Sequence, residues 1–347
     1  MRRDAGREHS PDVKDAKIAQ REAIMRAWGI RTIVLAAAII VAALPVFGQT
    51  PQSQTTRLIV AYAAGGTGDV VARILSDRLA AVLGHNVVVE NRAGASGAIA
   101  SRSVAAAPPD GHTLLVGQTG EIAINQHFMK DPGYNPDTDL QPVAIAGVVP
   151  LALVVPANAP YSTMAEFVKA LPTAKLTFAS AGAGTPGYFA GEFLKAKIPA
   201  NLTHVPYKGA APALNDLIGG HVDLYFPGMP AVVPHLKSGL LKVLAVSSAK
   251  RSAIAPDVPT VAEASPLKDF DFTLWVGFFA PARTPNDVVA RLNSAINALL
   301  VEPAIKEKLA DAGVDVTPMS VDQCTRFVRA ESGKYLQVIK EIGVTGE

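Results

Sequence analysis

The chain has 347 residues, 49% of them hydrophobic and 18% charged, with a mean hydropathy of +0.24. That excludes a disordered or fibrous chain and leaves enough apolar sequence for two domains with cores of their own. The net charge of +2 comes from residues 1–48, which hold eight Lys/Arg against five Asp/Glu; the remainder lies one charge on the acidic side of neutral. It offers neither the basic stripe that nucleic acid needs nor a polybasic membrane patch. A single cysteine, Cys324, excludes a disulfide framework and a multi-thiolate metal site, and no histidine pair has zinc spacing.

Arg26 and Arg31 precede an apolar run at 32–44, and Val46-Phe47-Gly48 offers a small-residue cut before Gln49. A charged flank, an apolar stretch and a cleavage site read as an export leader over residues 1–48, with Met25 as an internal start. The run is shorter than the roughly 20 residues of a membrane span. The mature protein is therefore expected in the periplasm.

Past the leader, 58–61 reads as a buried strand, followed by the turn Gly65-Gly66-Thr67-Gly68-Asp69. Val71, Ile74, Leu75, Leu79 and Val82 then repeat with a helical period that Gly84 closes. Strands follow at 86–89 and 113–117, with a small-residue helix at 98–106 between them. An almost unbroken apolar stretch covers 143–155. Strand–helix alternation then restarts, with strands at 176–179, 202–205, 222–226 and 243–246 and helices at 188–195 and 212–218. A second apolar stretch at 274–280 leads to three C-terminal helices, the last opening on the capping box Ser320-x-x-Gln323. Alternating strands and helices predict an α/β protein with parallel or mixed sheets. The two apolar stretches read as two crossings between lobes. Lobe one takes residues 49–152 and 276–347, lobe two takes 153–275, and a cleft lies between them.

The candidate chemistry sits in the turns. Gly65–Asp69 joins a strand to a helix N-terminus, where free N–H groups and the positive end of the helix dipole suit an anion. Asp69 is placed to cap that helix. The second turn, Ser180-Ala181-Gly182-Ala183-Gly184-Thr185-Pro186-Gly187, matches G-x-G-x-x-G. It lacks the acidic residue a dinucleotide site needs after the next strand, where Val205-Pro206-Tyr207-Lys208-Gly209 stands instead. An anion at a second helix N-terminus is the better reading, with Ser180 and Thr185 adding hydroxyls. Neither turn continues as a P-loop, no G-x-S-x-G elbow occurs, and Ser180 has no evident histidine partner in sequence. Lys208 reads as solvated, Trp275 as hinge core, and His204 and His221 as structural.

Six segments in order resemble the Bug family, the solute-binding receptors of tripartite tricarboxylate transporters. They are Tyr62–Asp69, Val89–Gly94, Ser180–Gly184, Val205–Gly209, Pro259–Glu263 and Trp275–Pro281. The resemblance implies a two-lobed, type II-like periplasmic-binding-protein fold. It further implies a small carboxylate held by backbone amides, hydroxyls and water, membrane transporter subunits as partners, and no cofactor, metal or catalysis. By the match, Tyr62, Ala64, Gly65, Thr67 and Asp69 form one jaw. Ser180, Gly182, Thr185, Tyr207 and Gly209 form the other, and Asp223 is a further acid near the cleft. Ala61, Gly68 and Ala183 depart from the family pattern and thin out the polar side chains, which favours a less polar acid. A monomer is expected. The rival readings are a ligand-sensing receptor for a signalling kinase and an exported enzyme acting on a small acid.

Overall fold

β1 (Thr55–Val60) turns its apolar residues into the centre of a sheet, pairing in parallel with β2 (Asn86–Asn91) on one side and β3 (Thr113–Gln118) on the other. The computed structural model describes residues 55–346, preceded by the isolated positions Ile18, Gln20, Arg21 and Met25. The expected leader thus lies almost wholly outside the described residues. Residues from Ser53 onward form one compact unit.

Helix α1 (Thr67–Leu83) returns from β1, burying Val71, Leu75 and Leu79 as the 3.6-residue period requires. It stops at Gly84, whose φ of +74° suits a residue without Cβ and lets its N–H reach the Ala80 carbonyl. A 3₁₀ turn (Ala95–Gly97) and α2 (Ala98–Ala105) lead into β3, every residue of which is buried. A π-turn (Gly120–Ile124), α3 (Asn125–Phe128) and α4 (Pro136–Asp139) then carry the chain to β4 (Leu140–Pro150).

One residue, Leu151, separates β4 from β5 (Ala152–Pro156), and the two strands belong to different sheets. The apolar stretch read at 143–155 is thus a strand in each sheet, joined at a crossing. The second half continues with α5 (Met164–Ala170), β6 (Lys175–Ser180), α6 (Pro186–Lys197), β7 (Asn201–Pro206), α7 (Ala210–Ile218), β8 (Leu224–Tyr225), α8 (Met229–Lys237), β9 (Leu241–Val246) and α9 (Val261–Ala264). The strand expected over 222–226 is only the two residues of β8, because Asp223 bonds sideways to Thr177 and Pro227 follows. β10 (Thr273–Pro281) returns to the first sheet, followed by α10 (Asn286–Leu300), α11 (Pro303–Asp311), β11 (Asp315–Val316) and α12 (Val321–Ile342).

The first sheet has the order β11-β4-β10-β3-β1-β2 and the second β7-β6-β8-β5-β9. Both are mixed. β1, β2 and β3 run parallel, as do β6, β7 and β8, while β10 is antiparallel to β3 and β4, and β5 to β8 and β9. This is the two-lobed α/β architecture expected from the sequence. Ser247 ties the two crossings together. Its N–H donates to Leu151 O at 2.9 Å, its Oγ accepts from Leu151 N at 3.2 Å, and the same hydroxyl reaches Phe272 O at 2.5 Å.

In the core of the second sheet Phe193, Phe270 and Phe272 pack edge to face, and Phe167, Phe178 and Phe189 are buried in the same cluster, each side chain contributing about 1.5–3 kcal/mol of burial. Trp275 is buried as expected, against Phe279 and Phe327, with Nε1 donating to Glu331 Oε2 at 3.2 Å. α12 opens on the expected box: Ser320 Oγ accepts from Gln323 N and Gln323 Oε1 from Ser320 N. Its Cys324 and Val328 join the Trp275 cluster, whereas Tyr335 packs on Phe189 in the core of the second sheet. The last helix therefore bridges both halves.

Candidate functional site

Strands that run parallel deliver their C-terminal ends, and the helices that follow them, to one edge of a sheet. Here the edges of both sheets face a shared, narrow cavity that is open to solvent. Four helices point their N-termini at it: α1 through Gly66 and Thr67, α6 through Thr185 and Gly187, α7 through Ala210 and α8 through Gly228. No side chain caps any of the four. Their first-turn amides therefore lack the usual internal partners, and each helix adds the equivalent of about half a positive charge. The polar side chains on the wall are Tyr62, Thr67, Gln118, Thr185 and Tyr225, and none of the lining residues is charged. Leu151, Phe226 and Leu274 make the rest of the wall apolar. The arrangement suits an anion with an apolar body.

Each glycine-rich corner meets a different turn of the other half across the cleft. Ala63 N donates to Lys208 O at 3.2 Å, and Ser96 Oγ donates to Ala183 O. Gly182, at φ +134°, sits so close to Ser96 that a Cβ would stand 2.6 Å from its Oγ. Any larger residue would hold the jaws apart.

Of the residues singled out in the sequence, Tyr62, Thr67 and Thr185 line the cavity. Gly182 and Tyr207 lie at an outer pocket beside Ser96 and Lys208, with the Tyr207 hydroxyl donating to Asp216 Oδ2 at 2.6 Å. Gly209 precedes α7 directly, while Ala64 and Gly65 are exposed, Gly65 facing Ala211 of α7. Lys208 and His221 are exposed.

Asp69 does not cap α1; Gly66 holds the cap position and Asp69 is the third residue of the helix. Its buried carboxylate accepts from Gly65 N at 2.9 Å and from Arg73 Nε at 3.0 Å. Burial alone would raise its pKa, but the bonds from Arg73 and Gly65 hold it below the usual carboxylate range. The carboxylate braces the turn from behind and takes up the Gly65 amide. Ser180 acts similarly in the second turn, its fully buried hydroxyl accepting from Gly182 N at 3.1 Å. Asp223 is not brought to the cavity. It accepts from Thr177 N at 2.7 Å and Thr177 Oγ1 at 2.9 Å in the β6–β8 register.

Ser180 does have a histidine partner, invisible in the sequence because it stands 24 positions further on: His204 Nε2 lies 2.6 Å from its Oγ. The ring packs against Phe178 and Tyr188, and burial, helped by Lys195, pushes its pKa down to about 4. The imidazole is neutral at physiological pH. Among the described residues no carboxylate bonds to it, so no serine–histidine–acid set is assembled. Nor is any group of three His, Cys, Asp or Glu gathered to hold a metal among them.

Sequence reading missed Gln118 and the wall from Tyr225 to Gly228. The Gln118 carboxamide faces Gly68, whose Cβ would stand 3.0 Å from Nε2, and makes no side-chain hydrogen bond among the described residues. The signal was there: Gln118 ends β3 and Tyr225 ends β8, and C-terminal ends of parallel strands are where such folds bind.

Residues 71–344 match the family described as tripartite tricarboxylate transporter family receptor. The chain belongs to that family. It is similar to the protein BugT of Bordetella pertussis, 34% identical over 305 residues that cover 87% of this chain and 93% of BugT. Among solved structures, Rpa4515 of R. palustris with adipate is 33% identical with a TM-score of 0.82, over 85% of this chain and 99% of the other. MatC of Rhodopseudomonas palustris with bound malate is 32% identical with a TM-score of 0.78, over 85% and 100%. The tricarboxylate transporter receptors are solute-binding proteins rather than a class of enzymes. In this receptor the four bare helix N-termini are the feature suited to that task.

Proposed function

We propose that this receptor captures a small carboxylate in the periplasm, closes on it between its two lobes and delivers it to membrane transporter subunits. The observation that carries the reading is the convergence of four uncapped helix N-termini on one cavity whose wall holds no charged side chain. A carboxylate there receives amides from both lobes, contacts that exist together only in the closed form, so its differential affinity shifts the open–closed balance. Tyr62, Thr67 and Gln118 supply side-chain partners, while Thr185 lines the wall with its hydroxyl held by Gly182 O. Gly182, Tyr207 and Gly209, with Ala64 and Gly65 opposite, form the lips that seal the cleft, and Asp69 and Ser180 hold the two turns in shape. The adipate and malate named for the two similar structures support a carboxylate as the class. Leu151, Phe226 and Leu274 favour an acid with a less polar body.

A thermal-shift panel of mono-, di- and tricarboxylates tests this, with neutral and cationic analogues as controls. A bound acid at a hundredfold excess over its Kd adds about 2.7 kcal/mol to stability and raises the midpoint accordingly. Shifts with the neutral or cationic analogues and none with the acids would overturn the reading.

A further inference from the structure

Glu121 has no part in the site as built so far, yet it lies directly behind it. The residue is fully buried in the π-turn, next in the chain to the cavity-lining Gly120. Its Oε1 accepts from Gln118 N at 2.7 Å, and its Oε2 lies 2.9 Å from Tyr62 Oη. The same phenol lies 3.3 Å from Ser96 O. One phenolic proton thus stands between two acceptors and can serve only one of them. A proton on Glu121 resolves the conflict, because the carboxylic O–H then donates to Tyr62 Oη and releases the phenol's own proton.

Tyr62 itself lines the cavity beside Gly120. A Cβ on Gly120 would stand 2.8 Å from Tyr62 Oη and 3.1 Å from Gly184 O of the opposing turn. Burial raises the Glu121 pKa to about 8, against the opposing pull of its own amide, the Gln118 amide and Tyr62. The neighbouring titratable groups do not compete for the role. Tyr134 donates to the Glu121 carbonyl at 2.5 Å, and burial raises the pKa of Tyr134 and of Tyr225 across the cavity. On α12, which packs against the π-turn, Glu331 is taken by Trp275, while Ser332 serves Gln126 and His127. Asp137 and Asp139 of α4 lie in a surface turn, bonded to Asn135. Among the described residues no cation pairs with Glu121.

We propose that Glu121 is a positioning residue that links anion binding to a proton: by donating its own proton to Tyr62, it turns the phenol into a hydrogen-bond donor toward a carboxylate in the cavity. The inference rests on the carboxylate reading above. With Glu121 ionised, the phenol instead donates inward and presents only lone pairs to the anion, while an uncompensated buried charge stands behind it. Binding therefore weakens as pH rises through the Glu121 titration, and the bound anion pulls a proton onto the carboxyl.

Calorimetry with adipate, fully ionised from pH 6.5 to 9.5, in buffers of differing ionisation heat, tests this. Expected are a Kd that weakens by up to tenfold per pH unit above 8 and an uptake approaching one proton per adipate there. Glu121→Gln abolishes the proton uptake and the slope. Tyr62→Phe weakens binding below pH 8, where the phenol would donate to the anion, and reduces the slope and the uptake to what the buried charge alone imposes. A purely structural role for Glu121 would leave the wild-type protein binding adipate with no proton uptake, which overturns the linkage while leaving the carboxylate reading intact. No adipate, malate or benzoate binding at any pH would overturn both.

Discussion

Helices that face the cavity and helices that face away from it begin differently. α5, α9 and α12 open on reciprocal capping boxes, Thr163 with Glu166, Thr260 with Glu263 and Ser320 with Gln323. Each box satisfies two amides that the helix itself cannot, worth about 1 kcal/mol. α1, α6, α7 and α8 open on Gly66, Thr185, Gly209 and Gly228 with no side-chain cap at all. Even Thr185, which has a hydroxyl to offer, turns it to Gly182 O at 2.7 Å. α10 and α11 are also uncapped, at Pro285 and Glu302, so a bare end alone does not mark a site. Four bare ends aimed at one cavity do. On the proposed reading, these helices forgo local stability to keep their amides for a guest.

The contrast is broken most severely by placing a carboxylate where the guest belongs. Gly66 has φ −78° and ψ 169°, dihedrals aspartate adopts readily, and a Cβ there would stand 3.2 Å from Ala63 O, so the turn has to give by a few tenths of an ångström. Gly66→Asp caps α1, keeps the fold and repels an anion, so calorimetry with adipate is expected to show at least a hundredfold loss of affinity, about 2.7 kcal/mol, with the melting point unchanged or raised. Retained affinity would remove α1 from the grip.

A smaller effect is expected behind the turn. Asp69→Ala releases the Gly65 amide and loosens the loop that carries Thr67, weakening adipate binding about tenfold without unfolding the protein. The same carboxylate sharpens the account through pH. Its pKa is lowered in the folded state, so its stabilisation is present above the unfolded value and lost as pH falls through the folded one. Urea melts below pH 4 should therefore separate wild type from Asp69→Asn less than melts at pH 6. An affinity unchanged in Asp69→Ala would take Asp69 out of the site's support.

The smallest effect falls on the other side of the comparison. Thr163→Ala removes a box that faces away from the cavity, and is expected to cost about 1 kcal/mol in urea denaturation while leaving the adipate Kd alone. A change in Kd would mean that caps remote from the cavity also tune binding.

What was legible in the sequence was local. The corner from β1 to α1 announced itself through an apolar run, a glycine turn and a clean helical period. The Ser320 box and the burial of Trp275 were equally readable. The crossing at Leu151 was not, because an apolar run looks the same whether its two ends join one sheet or two. α8 carries Pro230 and Pro234, and the π-turn at 120–124 has no periodic signature, so both escaped. Asp69 was placed on the right helix but one role away, since a residue in the cap position and one reaching back from the third position look alike in sequence. Asp223 followed the resemblance and not its own register with Thr177. The Ser180–His204 contact needs two adjacent parallel strands in register, Ser180 beside Pro206, which only the folded sheet supplies.

Amide spectra of the isotopically labelled protein, recorded as adipate is added, test the central claim most directly. The account predicts that the N–H signals of Thr67, Gly187, Ala210 and Met229 shift together and saturate at one common Kd, because one guest is held from both lobes. Binding whose shifts stay within a single lobe, or gather around Asp223 while those four amides stay still, would contradict it.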